Sequence, residues 1–116
     1  DSMSAALDLL GEVPGARKVA VLGDMLELGP QSGEFHAAVG AQVAAKAGVV
    51  LATGSESKQL VAAARSAGMD ETRARHFENA NQAGEYVAAN LCRGDVVLVK
   101  ASRAMALDQV VERILR

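Results

Sequence analysis

Aromatic side chains are nearly absent. Two phenylalanines, one tyrosine and no tryptophan stand among 116 residues, 3% of the chain. Any core must therefore be aliphatic, and the platforms on which single-stranded nucleic acid stacks are missing. Nor are cations gathered: 12 Lys and Arg against 14 Asp and Glu give a net charge of -2. Their scatter along the chain lacks the electrostatic footprint of a nucleic-acid partner. The single cysteine, Cys92, has no Cys or His at ligand spacing, which excludes a disulfide framework and a zinc site. It reads as a packed thiol in a reducing compartment. No apolar run approaches the roughly 20 residues of a membrane span, and no charged-then-apolar leader opens the chain, so the expected location is cytoplasmic. The first residues, Asp1-Ser2, carry no initiator methionine, which suggests a piece of something longer.

What is present is the ordinary balance of a globular domain, 50% hydrophobic and 22% charged. The length suits one domain with a real core. Helical periodicity recurs along the chain: Met3, Ala6, Leu7, Leu10; Phe35, Val39, Val43; Leu60, Val61, Ala64; Ala80, Ala83, Val87, Leu91; and Leu107, Val110, Val111, Ile114, Leu115. Ser32, Ser55 and Asn79 are placed as N-caps, the last with Gln82 three residues on, as in a capping box. Gly11, Gly48, Gly68 and Gly94 follow the helical patterns as stops. Between the helices lie apolar runs at Lys18 to Leu22, Val49 to Thr53 and Val96 to Val99, with a weaker one at Arg75 to Phe77.

Strands that are continuously apolar and alternate with helices imply a mostly parallel sheet covered on both faces, a Rossmann-like three-layer α/β domain. If every crossover is right-handed and the first three strands step one way, the fourth can add on the other side of the first, giving the order 3-2-1-4. The carboxyl ends of strands one and four then border the crevice at the topological switch point, the usual ligand site of such sheets.

Two loops are expected to meet there, Leu22 to His36 and Lys100 to Met105, with Thr53-Gly54-Ser55-Glu56-Ser57 on the same edge. Arg103 offers a rigid fork that matches a carboxylate or phosphate, and Ser102 can donate to the same anion. Both precede a helix, whose first N–H groups also favour an anion. Lys100 and Arg103 could instead be solvated, or paired with Asp24 or Glu27. Asp24 could hold an ammonium group, orient a nucleophile, or pair with Lys100. His36 reads as a structural hydrogen-bonder, and His76 carries a weaker signal still. No P-loop, GxGxxG, nucleophile elbow or metal-ligand cluster occurs, so the chain alone lacks the parts for nucleotide hydrolysis.

Two stretches become recognisable together. KVAVLGDMLELGPQSGEFHAAVG, Lys18 to Gly40, and GDVVLVKASRAMALDQVVERIL, Gly94 to Leu115, resemble the C-terminal domain of the Mur ligases. Within that family they are similar to the branch that adds D-alanyl-D-alanine to UDP-N-acetylmuramoyl-tripeptide. One departure is that the family commonly has Lys-Gly-Ser-Arg, often followed by Gly, where this chain has alanine at positions 101 and 104. Alanine removes backbone conformations open to glycine.

The resemblance implies that residues 1–116 form one domain, the third of a three-domain cytoplasmic enzyme of peptidoglycan synthesis. An N-terminal domain would hold the UDP-sugar peptide, and a central one would bind ATP and Mg2+. The family chemistry is an acyl phosphate attacked by the amine of D-alanyl-D-alanine, so strand four would end in cations to hold the dipeptide carboxylate. Carried over, Arg103 is the carboxylate clamp, Ser102 a supporting donor and Lys100 a point charge. Asp24 orients the ammonium end or pairs with Lys100, and the loop of Thr53, Gly54 and Ser55 lies on the dipeptide. Met25, Glu27 and His36 are rim residues, and no residue here is assigned as catalytic or as a metal ligand. The other readings are a free-standing flavodoxin- or receiver-like binding module and the C-terminal domain of another Mur-type ligase.

Overall fold

A computed structural model describes residues 2–15, 17–24 and 29–100. In chain order they form α1 (Ser2–Glu12), β1 (Arg17–Gly23), a short 3-10 turn (Gly29–Gln31), α2 (Ser32–Lys46) and β2 (Val49–Thr53). Then follow α3 (Ser57–Ser66), β3 (Ala74–Phe77), α4 (Ala80–Asn90) and β4 (Asp95–Lys100). The helix expected over Leu107 to Leu115 lies outside the described residues.

The four strands are parallel in the order β3-β2-β1-β4, the order expected from the sequence. Alternate residues of each strand feed two separate cores. Ala20, Leu22, Val50 and Ala52 point to one face, where they meet Met3, Leu7 and Leu10 of α1 and the inner faces of α2 and α3. Val19, Val21 and Leu51 point to the other, against Ala80, Ala83 and Val87 of α4. The aliphatic composition is what allows both layers to pack closely with so few rings. In contrast to β1 and β2, β4 is half-buried along its whole length, with Val96 and Leu98 against the first core and Val97 and Val99 against the second. The expectation that it is buried on both faces is corrected to partial burial on both.

Local signals fared unevenly. Asn79 caps α4 as its spacing suggests: its Oδ1 accepts the Gln82 N–H at 2.9 Å, and Gln82 Oε1 accepts the Glu78 N–H at 3.0 Å. Ser32 is the first residue inside α2, whose N-cap is Gln31 with no side-chain bond. Gly11 lies within α1, which runs on to Glu12, whereas Gly68 does end α3 in the left-handed region at φ 110°. At the far side of the sheet Arg75 lies over the Tyr86 ring, 4.7 Å from its centroid, and Tyr86 packs against Phe77 with ring centroids 5.4 Å apart. A cation over a ring face is attracted by the ring quadrupole.

The amino ends of β1 and β4 are tied by a two-pronged ion pair. Arg17 Nε donates to Asp95 Oδ1 at 3.2 Å and Nη2 to Oδ2 at 2.7 Å. Asp95 Oδ2 also accepts the Cys92 N–H at 2.8 Å, and only 2% of the Asp95 side chain is exposed. Cys92 itself is exposed, not packed, because α4 has already ended at Asn90. The Arg17 guanidinium, and after it the Cys92 N–H, holds the Asp95 carboxyl below the usual carboxylate range. A depressed folded-state value means stability that is present above the unfolded value, near ~4, and lost as pH falls through the folded one. Asp95→Asn is therefore expected to cost about 1.5–2 kcal/mol at neutral pH, a deficit that shrinks below pH ~4. Urea unfolding of both proteins at pH 7 and pH 3 measures it. An equal deficit at the two pH values would show that charge has no part in it.

Candidate functional site at the carboxyl edge of the sheet

The parallel register brings the strand ends to one line. Leu22 pairs with Lys100, Gly23 with Thr53, and Thr53 with Phe77. Lys100, Asp24 and the β2–α3 loop thus border the expected crevice from three consecutive strands. Arg103, Ser102, Met25 and Glu27 lie outside the described residues.

Asp24 is 4% exposed, and among the described residues no ion pair joins it to Lys100. Its Oδ2 accepts the Glu56 N–H at 3.1 Å and its Oδ1 the Ser57 N–H at 2.7 Å. These are the free donors at the start of α3, whose own N-cap, Glu56, makes no side-chain bond. A carboxylate at a helix N-terminus also meets the positive end of the helix dipole. The expectation that Asp24 pairs with Lys100 is thus corrected: main-chain donors 32 and 33 residues away offer two directed bonds in a buried place.

The loop approaches Asp24 closely because it can do so only at a glycine. Gly54 has φ 99°, and a Cβ built on it would stand 2.4 Å from Asp24 Cγ. On its other side the loop is held by His76, whose Nε2 donates to the Gly54 carbonyl oxygen at 2.7 Å. A carbonyl can only accept, which places a proton on Nε2. His76 thus matters more here than its weak sequence signal suggests. Thr53 Oγ1 and Ser57 Oγ are buried without a hydrogen-bond partner, which is uncommon for buried hydroxyls. Ser55 is exposed at the tip.

His36 is fully buried, so its expected place on the rim is corrected. Its Nδ1 donates to the Ser32 carbonyl oxygen at 2.8 Å, one turn back in α2. The spacing contains the reason: His36 shares a helix face with Val39, Gly40 and Val43, all buried. A cavity of about 100 Å³ opens elsewhere, at the amino edge beneath α4, lined by Val19, Val49, Leu51, Tyr86 and Val87. Arg17, Thr72, Arg73 and Asn90 share its walls with these, Arg17 is already bound to Asp95, and the cavity lies at the end of the sheet opposite the strand ends described above.

Comparison with known proteins agrees with this fold. The family described as Mur ligase, glutamate ligase domain, matches residues 1–103. The UDP-N-acetylmuramoyl-tripeptide--D-alanyl-D-alanine ligase of Synechocystis sp. is 36% identical over 99% of this chain and 25% of its own length. The enzyme of the same name from Treponema pallidum is 41% identical over 95% of this chain and 24% of its own. Among solved structures, MurF ligase from Thermotoga maritima in complex with ADP superposes with a TM-score of 0.79 at 27% identity, covering 97% of this chain and 25% of that one. MurF from Acinetobacter baumannii has the same fold, with a TM-score of 0.83 at 24% identity over 98% of this chain and 25% of its own. The chain spans about a quarter of the length of these relatives. By its match over nearly the whole sequence, the chain belongs to the Mur ligase family, in the glutamate ligase domain.

Proposed function

We propose that this chain is the C-terminal domain of a three-domain, cytoplasmic, ATP-dependent ligase that joins D-alanyl-D-alanine to UDP-N-acetylmuramoyl-tripeptide, and that it holds the dipeptide. The observation that carries this reading is identity of 36% and 41%, over almost the whole chain, to two ligases named for that reaction. In the reaction the γ-phosphoryl group of ATP passes to the tripeptide's terminal carboxylate, giving ADP and an acyl phosphate. The dipeptide amine attacks the acyl carbon, phosphate leaves with its bonding pair, and the amine proton goes to solvent. The whole difficulty for the dipeptide is orientation: a free amine must be held near the acyl carbon by contacts to the rest of the molecule. Arg103 and Ser102 would bind its carboxylate, with Lys100 at the end of β4 as a supporting charge and the Thr53-Gly54-Ser55 loop along its side.

The described residues of this chain do not fit the magnesium ion. No group of three His, Cys, Asp or Glu side chains converges among the described residues, and both oxygens of Asp24 are engaged by main-chain N–H groups. ATP and Mg2+ are accordingly assigned to the central domain of the longer enzyme. Among the described residues no helix is long and apolar enough to cross a membrane.

The test is an ADP-release assay on the full-length protein. Release is expected to require both the UDP-linked tripeptide and D-alanyl-D-alanine, and mass spectrometry should find the joined product. Release that responds to glutamate and not to the dipeptide would place the protein in another branch of the family. No response to any amino-acid acceptor would favour a binding module.

A further inference from the structure

Asp24 was expected to touch the substrate, but its surroundings give it a different task. It leaves the end of β1, is 4% exposed, and closes two hydrogen bonds on the β2–α3 loop, at 3.1 and 2.7 Å. That loop would otherwise begin α3 with uncapped donors, since Glu56 supplies no side-chain bond. Gly54 at φ 99° lets the loop lie against the carboxylate, and any larger residue would occupy the carboxylate's own place. His76 fixes the same residue from β3 through the Gly54 carbonyl. Between these two restraints stand Thr53 Oγ1 and Ser57 Oγ, both buried and without partners. Such hydroxyls are costly to leave unsatisfied, and a rigid backbone that keeps them so is what a site awaiting a polar ligand requires.

We infer that Asp24 is a positioning residue for dipeptide recognition: it pins the β2–α3 loop through Glu56 and Ser57, so that the Thr53 and Ser57 hydroxyls are held in place for the dipeptide's polar groups. This rests on the dipeptide-binding reading above. Asp24 acts through hydrogen-bond acceptance and shape, not through a charge contact with the substrate ammonium. The two modes make different demands on substitution. A neutral amide of the same shape keeps one of the two acceptors and turns its NH2 toward the other main-chain donor, so it weakens the first mode and abolishes the second. A methyl at Gly54 disturbs the first and leaves the charge in place.

The experiment uses the full-length ligase with Asp24→Asn, Asp24→Ala and Gly54→Ala, measuring kcat, the KM of each of the three substrates, and the melting temperature. The wild type must first show dipeptide-dependent ADP release; its failure there would overturn the functional reading, and this inference with it. With that established, Asp24→Ala is expected to raise the dipeptide KM roughly three- to tenfold, and to leave the KM of ATP and of the UDP-linked tripeptide within about twofold. Asp24→Asn, which keeps one acceptor and loses the other, should fall between wild type and Asp24→Ala, while Gly54→Ala should behave like Asp24→Ala because its new methyl displaces the carboxylate. A dipeptide KM raised in both Asp24 variants and unchanged in Gly54→Ala would mean a direct charge contact and would overturn the inference. So would an Asp24→Ala protein that melts earlier yet keeps its dipeptide KM. If Asp24→Ala does not fold, an unchanged dipeptide KM in Gly54→Ala overturns it equally.

Discussion

Gly40→Val is expected to destabilise the chain by about 3 kcal/mol or more, at the upper end of what overpacking costs. Gly40 is buried in α2 where α3 crosses it, and a Cβ built there would stand 2.1 Å from the Leu60 carbonyl oxygen and 2.9 Å from Ala63 Cβ. A flexible side chain could turn aside from such a contact. A helical carbonyl cannot, because it belongs to the hydrogen-bond ladder of α3, so the two helices must separate and the shared core of Val39, Val43, Leu60 and Ala64 must open. The matching control is Ala41→Val, one residue on but exposed, where a shift within about 0.5 kcal/mol is expected. Urea unfolding of the three proteins decides the matter, and equal midpoints for Gly40→Val and wild type would mean that α2 and α3 do not pack as described.

The second large effect concerns binding. In the full-length enzyme, Arg103→Ala is expected to raise the KM for D-alanyl-D-alanine by the equivalent of roughly 1.5–3 kcal/mol, about 10- to 150-fold, the worth of a charged hydrogen bond. The clamp would grip the carboxylate, which is remote from the reacting amine, so ground state and transition state lose the same contact and kcat should change little. Arg103→Lys keeps the charge and loses the fork, and its KM should fall between the two. Initial rates over a range of dipeptide concentration test this, and an unchanged KM in Arg103→Ala would remove Arg103 from the site.

The architecture was legible because each of its signals is local or follows a rule of handedness. Continuous apolar runs such as Val49 to Thr53 mark covered parallel strands, and one chirality rule then leaves few orders for four of them. Edge effects were not legible. The residues Val96 to Val99 look as apolar as β2, but at the end of the described sheet they are only half-buried. His36 was readable in principle, since its spacing to Val39 and Val43 puts it on the buried face. Asp24 was not, because its partners are main-chain donors of a loop 32 and 33 residues away, and no side-chain pattern announces a backbone donor. The glycine that admits it, Gly54, was noticed only as part of the loop expected along the dipeptide. Its positive φ and its contact with Asp24 are properties of two segments at once.

The stacking of Arg75 over Tyr86 gives the chain a built-in optical probe. With one tyrosine and no tryptophan, its ultraviolet emission comes almost entirely from a single ring. That ring sits on α4 and touches Phe77 and Arg75 of β3, so its signal reports whether the helix still lies on that edge of the sheet. A denaturation curve followed by tyrosine emission therefore reads this face alone, while circular dichroism at helical wavelengths averages over the helices of both layers. Coincident curves would establish that the two cores melt as one cooperative unit, without the introduction of any label.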